Sequence, residues 1–206
     1  MTEDYYKKYK VILAKEESMA RKMALSLIKP KQLTVWEILI PVIFILNYVK
    51  IKHSREIFIQ NQIFTKKMAL DAALDMKKKD AAKETAMAQI DDRTKELVAS
   101  VPDGIYSDDI RRQQLREVDL LIDHYHKLLN APGADYAALV THAYQTPAAY
   151  SSFLDALQSA EKAVMNAAHQ TLGSKADTDT AAKIESISAS MRAAEVKNLY
   201  SPQPQP

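Results

Sequence analysis

Apolar residues follow two patterns along this chain. Most recur every three or four positions between Lys, Glu, Asp and Ala, while one run, Leu33–Val49, is apolar almost without a break. The recurring pattern has the 3.6-residue period of amphipathic helices. No stretch alternates as a strand does, and Ala, Leu, Lys and Glu are strong helix formers. The fold class expected is all-α.

The first helix is expected over Thr2 to about Ile28. Thr2 can cap it, with Glu3 and Asp4 in the favourable first turn. Tyr5, Tyr9, Ile12, Met19, Met23 and Leu27 share one face, and Lys7, Lys8, Lys15, Arg21 and Lys22 crowd the others. Such a basic amphipathic helix (residues 1–32 as a segment) fits a membrane surface. It fits equally a helix packed on the next one.

Residues 53–100 hold neither glycine nor proline. They predict one continuous stalk helix about 70 Å long at ~1.5 Å per residue. Its apolar seam (Ile59, Ile63, Phe64, Leu70, Leu74, Ala81, Ala88, Leu97) is broken at Lys77 and Lys78, so coiled-coil character is weak. Pro102-Asp103-Gly104 is a turn with a mechanism, proline presetting φ and glycine permitting the reversal.

A small bundle is expected over 101–200. Ser107 caps a helix over Asp108–Asn130 whose stripe is Ile110, Val118, Leu121, Ile122, Tyr125 and Leu129. A short helix over Asp135–Gln145 turns Tyr136, Leu139, Val140 and Tyr144 inward. Thr146 caps the next, with Pro147 at its first position. That helix carries Tyr150, Phe153, Leu154, Leu157, Val164, Met165, Ala168 and Leu172, and Gly173 ends it. The last, about Thr180 to Tyr200, has a weaker stripe of Ile184, Ile187, Met191 and Leu199. Short connections make neighbours antiparallel. The Pro/Gln tail, 201–206, is expected to be disordered.

The unbroken run is expected to enter a membrane (segment 33–51). It consists of Leu33, Val35, Trp36, Ile38, Leu39, Ile40, Val42, Ile43, Phe44, Ile45, Leu46, Tyr48 and Val49, with Glu37, Pro41 and Asn47 as polar or kink positions. As one helix it spans about 25 Å, short for a bilayer core of about 30 Å. Trp36 and Tyr48 lie near its ends, where amphipathic rings favour the headgroup level. A single crossing fits the length. A re-entrant segment bent at Pro41 is the alternative, since proline removes a donor and frees the carbonyl of Glu37. A helix buried in its own bundle fits less well, because the run is apolar on every side.

Charge does not orient it. Lys15, Arg21, Lys22, Lys29 and Lys31 precede the run, and Lys50, Lys52, Arg55, Lys66 and Lys67 follow it. The positive-inside rule needs an asymmetry. A tie is better explained by flanks on one leaflet. Residues 1–70 hold 13 Lys and Arg against 6 Asp and Glu, and 71–206 hold 15 against 20. The basic part thus surrounds the apolar run, as on anionic lipid. No nucleic-acid-reading motif accompanies it. The N-terminus has no signal-peptide pattern, and the larger C-terminal part, with no export signal, is expected in the cytoplasm.

Candidate chemistry is sparse. The absence of cysteine excludes disulfides and thiolate sites. Asp119, Asp123 and His126 have the carboxylate–histidine spacing of metal-binding bundles, but such sites need a second copy of the motif. Here the three fall on the polar side of their helix. His124 and His142 are expected to be partly buried structural residues. No phosphate loop, nucleophile elbow or zincin motif occurs. The expectation is a non-catalytic, cofactor-free scaffold or adaptor at the inner or cytoplasmic membrane. It would self-associate or hold a protein partner through its helices. An accessory subunit of a larger membrane complex is the alternative, and a metal-binding bundle enzyme a weaker one.

Overall fold

The computed structural model describes residues 2–27, 54–100, 107–173 and 178–201. These residues form seven helices and no strand: α1 (Thr2–Leu27), α2 (Ser54–Lys79), α3 (Lys83–Ser100), α4 (Asp108–Asn130), α5 (Tyr136–Tyr144), α6 (Pro147–Leu172) and α7 (Thr178–Tyr200). The chain is all-α, as its pattern requires. Three helix starts follow from their capping residues. The Ser107 hydroxyl accepts from the Ile110 amide at 3.3 Å, the Asp135 carboxylate from Ala138 at 2.9 Å, and Thr146 from Ala149 at 3.1 Å. Each satisfies one orphan donor of a first turn. Gly173 ends α6 at φ +56°, a backbone that glycine adopts without strain.

The expected 53–100 stalk is two helices. The break falls at Asp80, with φ +51°. The Ala81 amide donates to the Met76 carbonyl at 3.2 Å, the six-to-one bond of a Schellman ending. Aspartate is one of the few residues that enters this conformation without glycine's freedom. Lys77, Lys78 and Lys79 sit on the negative end of the α2 dipole. A break without glycine or proline leaves little trace in composition, which is why the continuous helix is the natural expectation.

Nor does α2 stand free. It packs along both α1 and α4. The pairing with α1 is antiparallel: the Tyr9 hydroxyl donates to Asp71 and Lys66 donates to Glu16, both at 2.6 Å, and Met23 and Ala24 cluster with Phe58. One core joins Tyr9 and Ile12 of α1, Ala69, Leu70 and Leu74 of α2 and the α4 stripe from Val118 to Leu129, and continues into α5 and α6. The bundle expected over 101–200 therefore includes α1 and α2. The face of α1 that the sequence offered to a membrane surface lies against helices instead.

At the centre is α4. All six residues of its expected stripe are buried, and so are Gln114, Glu117, His124 and Leu128. Among the described residues no helix is long and apolar enough to cross a membrane. The run Leu33–Val49, with Glu37, Pro41 and Asn47, lies outside the described residues, as does most of the 201–206 tail.

Candidate functional site

The positions that carry charge inside this bundle sit at gaps in the apolar stripes. On α1, Glu16 falls between Ile12 and Met19. On α2, Lys66 falls between Ile63 and Leu70. On α4, Glu117 continues the Ile110 series just before Val118. Helical spacing turns each of them inward with its apolar neighbours. Burial of charge is expensive unless it is paired, so the side chains find one another.

Glu16 is the hub. Its carboxylate accepts from Lys66 at 2.6 Å and from the Tyr125 hydroxyl at 3.0 Å. Burial alone would raise its pKa, yet the adjacent Lys66 ammonium and the Tyr125 bond win, and the carboxyl is held below the usual glutamate value. Lys66 is correspondingly raised: burial opposes its charge, and Glu16 more than offsets this.

From α7, Arg192 donates to Glu161 of α6 at 2.6 Å. Its Nη1 is buried, with no hydrogen-bond partner among the described residues. Glu195, also on α7, meets Lys15 at 3.2 Å and accepts from the Tyr150 hydroxyl at 3.0 Å. The Tyr136 hydroxyl lies 3.3 Å from that of Tyr150. The seam thus ties together every helix except α3.

In two members burial outweighs every partner of the charged form. Glu117 is only 6% exposed. Burial, aided by the Glu161 carboxylate nearby, pushes its carboxyl up to about 8, despite Lys66 and Arg192. His124 is 3% exposed and lies 2.7 Å through Nδ1 from the Tyr144 hydroxyl. Its ring stacks on Phe153 with centroids 4.2 Å apart. Burial pushes its imidazolium pKa down to about 3, so the ring is neutral. His124 is thus more deeply buried than its sequence position indicated, whereas His142 is exposed and bonded to the Ala138 carbonyl.

The seam lines two small cavities. The larger, about 50 Å³, is bounded by Lys66, Glu117, Glu161 and Ser188 among others; the second, about 40 Å³, by His124, Tyr136, Tyr150 and Arg192. Either can hold a water or two, while sites for organic ligands start near ~300 Å³.

The sequence-derived metal candidates are engaged otherwise. Asp119 and Asp123 clasp Lys83 at 2.7 and 2.8 Å, an ammonium from the start of α3 occupying the carboxylate pair. His126 is not part of that contact. Among the described residues no group of three His, Asp or Glu side chains is placed to hold a metal ion. Sequence reasoning missed Glu16, Lys66, Glu117 and Arg192. The signal was there, as a charged residue filling an otherwise apolar register. No family model matches the chain, and neither does any curated protein or solved structure.

Proposed function

We propose that this protein is a non-catalytic helical scaffold, attached to one face of a membrane by residues 33–49. Its bundle would lie on the cytoplasmic side and hold a protein partner or further copies of itself. The observation that carries this reading is the antiparallel pairing of α1 with α2. As α1 runs from Tyr9 to Met23, its partners in α2 run back from Asp71 to Phe58. Continued one turn, this register brings Leu27 and Ser54 to the same end of the bundle. A single crossing between them would put α1 and α2 on opposite faces of the bilayer, where they could not pair.

A segment entering and leaving one leaflet meets no such conflict. Bent at Pro41, each helical arm would reach about 12 Å, close to half of a ~30 Å core. The equal numbers of basic residues on the two flanks agree with both lying at one surface. The small size of the described cavities supports a structural role over a catalytic one.

The test uses two single-cysteine variants, Lys22→Cys and Gln60→Cys. Both positions are exposed, and the chain has no cysteine of its own. In sealed vesicles, a membrane-impermeant maleimide should label both from the same side, and the protein should resist carbonate extraction. Labelling from opposite sides would overturn the one-leaflet topology. Release into the soluble fraction would remove the attachment altogether.

A further inference from the structure

The larger cavity lies between α1, α2, α4, α6 and α7, and α7 supplies Ile184, Glu185 and Ser188 to its wall. Glu117 of α4 and these residues of α7 thus line one cavity. The charged and titratable groups around Glu117 are Lys66 of α2, Tyr125 of α4, Glu161 of α6 and Arg192 of α7; Glu185 of α7, paired with Lys162, lines the same cavity, and Glu16 of α1 and His124 of α4 interact with that Lys66. Lys66 is committed to Glu16, and the Nη2 of Arg192 to Glu161. With His124 neutral and Glu185 balanced by Lys162, three carboxyl groups face two cations. One carboxyl must hold a proton for the seam to be neutral, and Glu117 is the one that accepts no hydrogen bond from a described residue.

We propose that Glu117 keeps α7 on the bundle by holding that proton, and that its loss to solvent releases α7. The step is a plain ionisation: the carboxyl gives its proton to water, and a buried carboxylate remains whose nearby cations, Lys66 and Arg192, are already engaged by Glu16 and Glu161. Hydrating it beyond the water or two that the cavity can hold requires opening the wall, and α7, part of that wall, is held to its neighbours by three ion pairs. Release uncovers the apolar seam that Ile184, Ile187 and Met191 share with Met23 and Phe58. The inference does not rest on membrane attachment.

The sign follows from linkage. A carboxyl raised from 4.5 to about 8 by burial stabilises the closed bundle fully below pH 4.5, and that contribution is lost as pH rises to about 8. His124, lowered from 6.5 to about 3 by burial, acts oppositely, its contribution growing between those values as pH rises. The two cancel between about 4.5 and 6.5. From about 6.5 to 8 the Glu117 effect stands alone.

Amide hydrogen exchange on the full-length chain tests this, corrected for intrinsic rates and with α4 as internal reference. Between pH 6.5 and 8.5 the protection of α7 should fall about tenfold or more relative to α4, following the protons lost. Glu117→Gln should abolish the fall and melt at least ~5 °C above wild type at pH 8.5. Glu161→Gln should weaken it as well, because Arg192 is then free to pair with the Glu117 carboxylate. This second variant keeps the test open should the first not fold. A full wild-type response in either folded variant, or an equal loss of protection in α4 and α7, overturns the proposal.

Discussion

Helices α4 and α7 have the same length, 23 residues, and both pack on α6. They are held by different physics. The first inserts an apolar stripe from Ile110 to Leu129 into the core, with Gln114, Glu117 and His124 buried along it. The second buries Ile184 and Thr180 and leaves Ile187, Met191 and Leu199 half-covered. What α7 adds is charge: Arg192 on Glu161, Glu195 on Lys15 and Tyr150, and Glu185 on Lys162. Apolar burial is non-directional and insensitive to proton and salt concentration, whereas ion pairs respond to both. One bundle therefore contains a permanent axis and a conditional strap.

The largest effect that could break this contrast comes from paired truncations. Ile122→Ala, at a fully buried position, should cost about 2–5 kcal/mol through lost burial and the cavity left behind. Leu199→Ala on half-covered α7 should cost less than about 1 kcal/mol. Urea unfolding of both variants decides, and equal losses would erase the distinction.

Acid provides the next test, on the α4 side. Below pH 4.5 Glu117 no longer offsets His124, whose neutral form the bundle requires down to about pH 3. Glu16, held below its usual value chiefly by Lys66 against the burial penalty, also loses its contribution as it protonates. Stability should therefore drop by on the order of 2 kcal/mol between pH 4.5 and 3. Urea midpoints at the two pH values measure it. His124→Gln should flatten the slope, and an unchanged slope would show that the ring is not the titrating group.

A smaller effect sharpens the α7 side. Arg192→Met removes a cation whose side chain is 11% exposed, leaving Glu161 at 27%. Since the pair is partly wet, the loss should be about 1–3 kcal/mol rather than that of a fully buried one. It should appear as exchange of α7 amides with α4 protected. Lys162→Ala, at the 56% exposed end of the pair with Glu185, should stay within about 0.5 kcal/mol. A global loss in Arg192→Met would mean that α7 unfolds with α4 rather than before it.

Much of this was legible in the residues alone. The all-α class, the α4 stripe, the Ser107 and Thr146 caps and the Gly173 ending depend on period and on single side chains meeting their own backbone. Such local rules operate within a few residues of the position they describe. The same locality explains the errors. Asp80 breaks a helix that contains no conventional breaker, because a backbone state open to aspartate was stabilised by a Schellman bond and the packing on either side. Asp119 and Asp123 have the spacing for a metal, but the nearest cation is Lys83, brought there by a turn that composition does not mark.

The amino-acid pattern by itself determined which residues point inward on each helix, including Glu16, Lys66 and Glu117 at gaps in apolar stripes. It could not determine which of these charges would meet, because their partners lie up to 109 residues apart and their spacing carries no register between helices. Only the tertiary packing paired Glu16 with Lys66 and Tyr125, put Arg192 on Glu161 and left Glu117 with no hydrogen bond from a described residue. The physical reason is that burial is decided along one helix, whereas compensation of a buried charge is decided between helices.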